Sequence, residues 1–302
     1  MYARPLADLR SADEAGFGGK SASLGELIAS GIPVPPGFAL SADARAEPMS
    51  GTVREAIVAA YEALGDDPPV AVRSSAIGED SAAATFAGQH ETYLWVRGAD
   101  AVCEAVRDCW ASLHGERATS YRERLGPAGD APAMGVAVQV MVDAAVSGVM
   151  FTCNPVSGDP STIAVNASWG LGLAVVGGEV TPDEYRLSKV TGEVLQRTVG
   201  RKHLEYTAGP KGAVRRDVPD DRIEAPCLED AQLAALGETA RRVEGHFGGP
   251  QDIEWAIDRE GELFLLQSRP VTTMRKESGT SESRSAMDLV MDTFGARRGG
   301  SP

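Results

Sequence analysis

Residues 252–270 read Asp252-Ile253-Glu254-Trp255-Ala256-Ile257-Asp258-Arg259-Glu260-Gly261-Glu262-Leu263-Phe264-Leu265-Leu266-Gln267-Ser268-Arg269-Pro270. The stretch has the composition of two buried strands joined by a polar turn. Side chains alternate faces along a strand, so Asp252, Glu254, Ala256 and Asp258 share one face. Ile253, Trp255 and Ile257 share the other, which is assigned to the core. On the return strand Gln267 and Arg269 share a face. A four-residue loop over 259–262 sets Glu254 opposite Gln267 and Asp252 opposite Arg269, whereas a three-residue loop flips the second strand. Two carboxylates about 4 Å apart repel by about 4 kcal/mol at an effective dielectric of 20. A positive partner is therefore expected. Arg269 is one candidate, and a hard cation such as Mg2+, which takes carboxylate and amide oxygens, is another. A solvated strand face with a cross-strand ion pair also fits the hairpin alone.

The chain has 302 residues, 43% of them hydrophobic, enough for one large domain or two lobes. It carries 43 acids against 29 bases, a net charge of −14, which argues against a general nucleic-acid surface. A polyanionic small ligand is still compatible, because a few placed cations outweigh the global field at contact distance. Cys103, Cys109, Cys153 and Cys227 form no C-x-x-C pair and there are four His, so a structural zinc site is not expected. Reduced thiols in a cytoplasmic protein are expected instead. The N-terminal residues are charged and lack the apolar core of a signal peptide. The most apolar window, 133–151, is interrupted by Gln139 and Asp143 and alternates like a strand pair, so no membrane span is expected.

Helices are expected over 20–30, 53–64, 101–125 and 230–247, and strands over 69–74, 136–142, 148–152 and 163–166. Residues 170–178 are glycine-rich, and residues from 275 onward read as a flexible tail with a short amphipathic helix over 286–294. An α+β architecture follows. A helix-rich lobe covers 1–135, a strand-rich lobe 136–275, and a tail 276–302.

Other segments keep company with the hairpin. Gly18-Gly19-Lys20-Ser21 places glycines before a lysine that opens a helix, although Glu14 stands where a Walker A loop needs glycine. Arg73 ends a buried strand and serves there as a salt-bridge partner or a phosphate fork. Residues 80–89 are small enough for backbone N–H groups to approach a phosphate chain, with Thr85 adding a hydroxyl. The segment Gln139-Val140-Met141-Val142 can offer backbone groups to a base edge, with Met141 against the ring, or be plain core.

In this order the stretches GGKSASLGELIASGIPVPPGF, VAVRSSAIGEDSAAATFAGQHET, VAVQVMV, SGVMFTCNPVSGD, ASWGLGLAVVGGEVTPDEY and DIEWAIDREGELFLLQSRP resemble one family. It is the ATP-grasp nucleotide-binding domain of the pyruvate phosphate dikinase, phosphoenolpyruvate synthase and rifampin phosphotransferases. The likeness runs from Gly18 to Pro270. It implies a two-lobed α+β fold with ATP in the inter-lobe cleft. It further implies that Lys20 and Arg73 contact the ATP phosphates and that a flap containing Thr85, Gly88 and Gln89 closes over them. Gln139, Met141 and Val142 would hold adenine. Glu254 and Gln267, with Asp252 close by, would coordinate Mg2+, and Arg269 would support the phosphates. Lys20, Arg73 and Arg269 are the catalytic cations on this reading.

Two departures bear on activity. Leu173 stands where the family usually carries Glu. The swivelling domain, whose histidine carries phosphate in full-length relatives, has no matching segment here, and His90, His114, His203 and His246 lie in other contexts. The resemblance therefore implies a phosphotransferase subunit that makes AMP and phosphate and phosphorylates a histidine on a separate swivelling-domain protein, for transfer to a small-molecule acceptor. Two alternatives stand beside it: a stand-alone kinase or ligase, and an ATP-binding module that has lost turnover. No nucleic-acid or membrane partner is expected.

Overall fold

The computed structural model describes residues 2–46, 49–76, 92–112, 134–209 and 212–271. Thr85, Gly88, Gln89, His90, His114, the second half of the helix expected over 101–125, and the segment 286–294 lie outside them. The chain forms two compact units, Met1–Met141 with Gly209–Ala213, and Val142–Ala208 with Val214–Pro302.

The first unit is built on a five-stranded antiparallel sheet in the order β1-β2-β5-β3-β4. Its strands are β1 (Ala3–Pro5), β2 (Gly37–Leu40), β3 (Val70–Ala76), β4 (Thr92–Val96) and β5 (Met134–Val140). The strand period divides the sheet sharply. Val70, Val72, Val136 and Val138 face one way and pack with Val53, Ile57, Val102, Val106 and Trp110 from the helices Gly51–Glu62 and Ala99–Ser112. The other face is made of small and polar residues: Ala71, Arg73 and Ser75 of β3 stand opposite Gln139, Ala137 and Gly135 of β5. A Cβ on Gly135 would lie 2.3 Å from the Phe17 carbonyl oxygen, so this face is built for close backbone approach. The helix Gly19–Ala29 ends at Gly31, whose φ of 72° suits glycine.

The second unit holds a six-stranded antiparallel sheet, ordered β13-β12-β6-β7-β8-β9. Its strands are β6 (Ala144–Phe151), β7 (Thr162–Trp169), β8 (Asp183–Ser188), β9 (Val194–Thr198), β12 (Gln251–Asp258) and β13 (Leu263–Pro270). A separate hairpin joins β10 (Leu204–Gly209) to β11 (Gly212–Asp217). Ile253, Trp255 and Ile257 are buried as expected. The helix Asp230–Phe247 packs on β12 and buries Leu233, Leu236, Ala240 and Val243. A capping box between Glu229 and Gln232 starts this helix and Gly248, at φ 74°, ends it. On the opposite face Val149 and Phe151 pack with Ala174, Val175, Val180 and Leu204. The glycine-rich run contains one helical turn, Leu173–Val176, and is pinned by the Leu171 N–H donating to the Tyr206 carbonyl at 2.7 Å.

A buried ion pair ties the second unit together. Asp183 and Lys202 form a salt bridge with both side chains fully buried. The Asp183 carboxylate also accepts from the N–H of Gly200 at 2.9 Å, the N–H of Cys227 at 2.8 Å and the Tyr185 hydroxyl at 3.1 Å. Removing one member leaves the other charged and unpaired inside the protein. Lys202→Met is expected to lower unfolding free energy by about 3–5 kcal/mol in urea denaturation. Adding Asp183→Asn to that variant is expected to restore part of the loss.

Candidate functional site

In the first unit the candidate residues gather where the Gly18 loop meets β3. Gly18 has φ 83°, and a Cβ there would sit 2.1 Å from the Ser75 carbonyl oxygen, so only glycine lets the helix start against the strand. Lys20 is 8% exposed and its Nζ donates to the Ser74 carbonyl at 3.0 Å. The Ser21 N–H donates to Ser75 Oγ at 3.2 Å, while Ser21 Oγ is buried with no hydrogen-bond partner among the described residues. Arg73 is half-buried on the small-residue face of the same strand, opposite Ala137. Arg73 is the central residue of β3 and does not end the strand as expected, and with Lys20 and the orphaned Ser21 hydroxyl at the helix start it makes a donor set suited to an anion.

Gln139 lies on that same face, buried, with its Nε2 lacking a hydrogen-bond partner among the described residues. Met141 and Val142 follow β5 and are half-buried. The Met141 N–H already donates to the Pro69 carbonyl at 2.9 Å, so it is not the donor a base edge would use.

In the second unit the hairpin has the register that a four-residue loop suggested, by a different route. Glu254 pairs with Gln267 and Asp252 with Arg269. The turn itself is tighter. The Asp258 N–H donates to the Glu262 carbonyl at 3.0 Å, and Gly261, at φ 90°, closes a three-residue loop. Near the turn Ile257 pairs with Leu263 and Trp255 with Leu265. A bulge then takes up Leu266 and returns Gln267 and Arg269 to the face of the acids.

This polar face is not bathed in solvent. Asp252 is 6% exposed and Gln267 8% exposed, with Glu254 half-buried. Arg269 Nε donates to Asp252 Oδ2 at 3.0 Å. Burial pushes the Asp252 carboxyl up to about 6, Arg269 pulls it back by charge and hydrogen bond, and Glu254 raises it further. Two carboxylates and an amide oxygen suit a hard cation that takes its other ligands from water and phosphate, as Mg2+ does. Among the described residues no cluster of three or more His, Cys, Asp or Glu could hold a metal, so any cation here depends on that mixed set. Thiol chemistry is disfavoured: burial raises the thiols of Cys103, Cys153 and Cys227.

The residues that sequence reasoning missed are Ser74 and Ser75, which position Lys20 and Ser21, and Asn166. Asn166 shares the acid-bearing face through its pairing with Val149, which also pairs with Glu254. Its Nδ2 is buried with no hydrogen-bond partner among the described residues. A polar side chain inside an apolar strand was the available signal.

Comparison with known proteins follows the same lines. Residues 44–288 match the family model described as pyruvate phosphate dikinase, AMP/ATP-binding domain. A probable phosphoenolpyruvate synthase of Methanothermobacter thermautotrophicus is 40% identical over 324 residues, covering 92% of this chain and 47% of the relative. The prodigiosin synthesizing transferase PigC of Serratia marcescens is 39% identical, covering 86% of this chain and 32% of that protein. The chain thus spans about half or less of the length of these curated relatives. Among solved structures, PH1788 from Pyrococcus horikoshii aligns with a TM-score of 0.45 at 12% identity, covering 87% of this chain and 94% of that one. Among the described residues no helix is long and apolar enough to cross a membrane.

The Asp252 carboxyl gives a pH signature. Its folded value, about 6, lies above the unfolded value of 3.8, so the folded state holds a proton that the unfolded chain releases. That contribution to stability is full below pH 3.8 and is lost as pH rises through about 6. Without divalent cation, wild-type stability relative to Asp252→Asn is expected to fall between pH 4 and 6, by up to about 1.4 kcal/mol per pH unit, in paired urea titrations.

Proposed function

The chain belongs to the family of pyruvate phosphate dikinase AMP/ATP-binding domains, and from that premise we propose that it is the ATP-binding subunit of a dikinase-type phosphotransferase. ATP, water and a histidine on a separate swivelling-domain protein would become AMP, phosphate and phosphohistidine, and the phosphoryl group would pass on to a small-molecule acceptor. The observation that carries this reading is the hairpin register: Glu254 opposite Gln267, beside the Asp252–Arg269 pair.

On this reading Lys20 and Arg73 bind and orient the phosphate chain, and Ser74 fixes the lysine through its carbonyl. Glu254, Gln267 and Asp252 would hold Mg2+, which when bound neutralises charge on phosphate oxygens. Asp252 holds Arg269 at 3.0 Å, so its guanidinium is oriented before substrate arrives. Phosphoryl transfer asks a protein mainly for positioning and charge neutralisation, and these side chains supply both. Gln139 lies on the face of β5 that bears the partners of Arg73 and Ser75, which fits a role toward the nucleotide.

A second reading rests on Leu173. It stands half-buried at the start of the turn Leu173–Val176, where an apolar side chain supplies no charge. If that position must be acidic, the chain binds ATP without turning it over.

Nucleotide products separate the readings. Purified chain with Mg2+ and ATP, with and without the protein encoded beside it, is expected to yield AMP only when the partner is present. Lys20→Met and Glu254→Gln are each expected to cut that AMP formation by roughly 100-fold or more. ADP or AMP formed by the chain alone with a small acceptor would replace the proposal with a self-sufficient kinase or ligase. ATP binding without product would favour the Leu173 reading, with Leu173→Glu as the next variant.

A further inference from the structure

The edge of the six-stranded sheet farthest from the acid hairpin has a different chemistry. All five residues of β9 are exposed. As the terminal strand it has one row of N–H and C=O groups with no strand beside it among the described residues. Val190, Val194, Leu195 and Val199 account for four of the six exposed large hydrophobic residues among those described. Isolated surface aliphatics are ordinary, but four within ten residues of one hairpin are a concentration.

Charge marks the same segment. Residues 186–203 hold Arg186, Lys189, Arg197, Arg201 and Lys202 against Glu193 alone, in a chain with 43 acids and 29 bases. Three of these cations have partners: Lys202 pairs with Asp183, Lys189 with Glu244 and Arg197 with Asp230. Arg186 and Arg201 are exposed, and neither forms an ion pair with a described side chain. The β8–β9 register slips between Arg186 and Leu187, which leaves Leu195 as a bulge and Gln196 to Thr198 as regular strand. A bulge prevents long, indiscriminate pairing and still leaves a short regular edge.

We propose that this edge, from Gln196 through Val199, is a docking site for an acidic, extended segment of a partner polypeptide. The segment adds as a short strand, its carboxylates meet Arg186 and Arg201, and its apolar side chains cover Leu195 and Val199. A second copy of this chain fits less well, because edge-to-edge pairing would bring two sets of arginines together on molecules of net charge −14. Nucleic acid fits less well too, because the exposed side chains are aliphatic and offer no aromatic stacking platform. The proposal does not depend on the phosphotransfer reading.

The test uses the full chain and two labelled peptides of equal length, one alternating Glu and Val, the other Lys and Val. Fluorescence polarisation is expected to show binding of the acidic peptide only, weakening as salt rises. The Arg186→Glu/Arg201→Glu double variant is expected to bind it at least about tenfold more weakly. Hydrogen exchange is expected to slow at residues 196–199 when the acidic peptide is bound. The proposal is overturned if both peptides or neither bind, if the double variant binds normally, or if protection appears elsewhere. Sedimentation showing a dimer that the double variant dissolves would also overturn it, assigning the edge to a second copy.

Discussion

A carboxylate with 6% exposure has to be neutralised or paired, and Asp252 is only partly satisfied. Arg269 lies at 3.0 Å, yet burial and the neighbouring Glu254 still hold the carboxyl near 6. The pair fixes the outer end of the hairpin, where Asp252 and Arg269 are direct cross-strand partners. The same face carries a second acid, Glu254, directly opposite the amide Gln267. Ile253, Trp255 and Ile257 on the reverse face make the strand immovable by burying it under the helix Asp230–Phe247. Rigid apolar packing below and a buried carboxylate above fit the cation site proposed for this face.

The first unit solves the complementary problem of holding a cation without burying it in hydrocarbon. Its sheet gives one face to valines and helices and the other to glycine, alanine and serine. Only residues this small let a loop backbone reach the strand, and Gly18 and Gly135 show how little room there is. The Ser74 carbonyl thereby holds Lys20 through a contact that does not itself cancel the charge.

Much of this was legible in the sequence, and the reasons for the rest are specific. The alternation in 252–258 revealed both faces of β12, and the helix stops at Gly31 and Gly248 follow from left-handed geometry. The acid-to-amide pairing came out right although the turn is one residue shorter, because the Leu266 bulge compensates. No local signal marks a bulge at a leucine within Leu-Leu; it arises from packing on both faces. The strands β9 and β11 went unread because their mostly exposed residues present no alternating apolar face. The Met141 N–H looked available until the sheet showed Pro69 across from it. Asp183 and Lys202 look like surface charges in a list of residues, and only the fold encloses them.

That enclosed pair has a consequence for how the second unit comes apart. Asp183 gathers contacts from Gly200, Lys202 and Cys227, the last of them 44 residues further along the chain. None can leave without exposing a charge to an interior that has nothing else to offer it. The start of β8, the approach to β10 and the segment before the long helix should therefore open as one cooperative block, not fray one after another. The lifetime of that block, more than the strength of any single contact, then sets how quickly a protease could reach the middle of the chain.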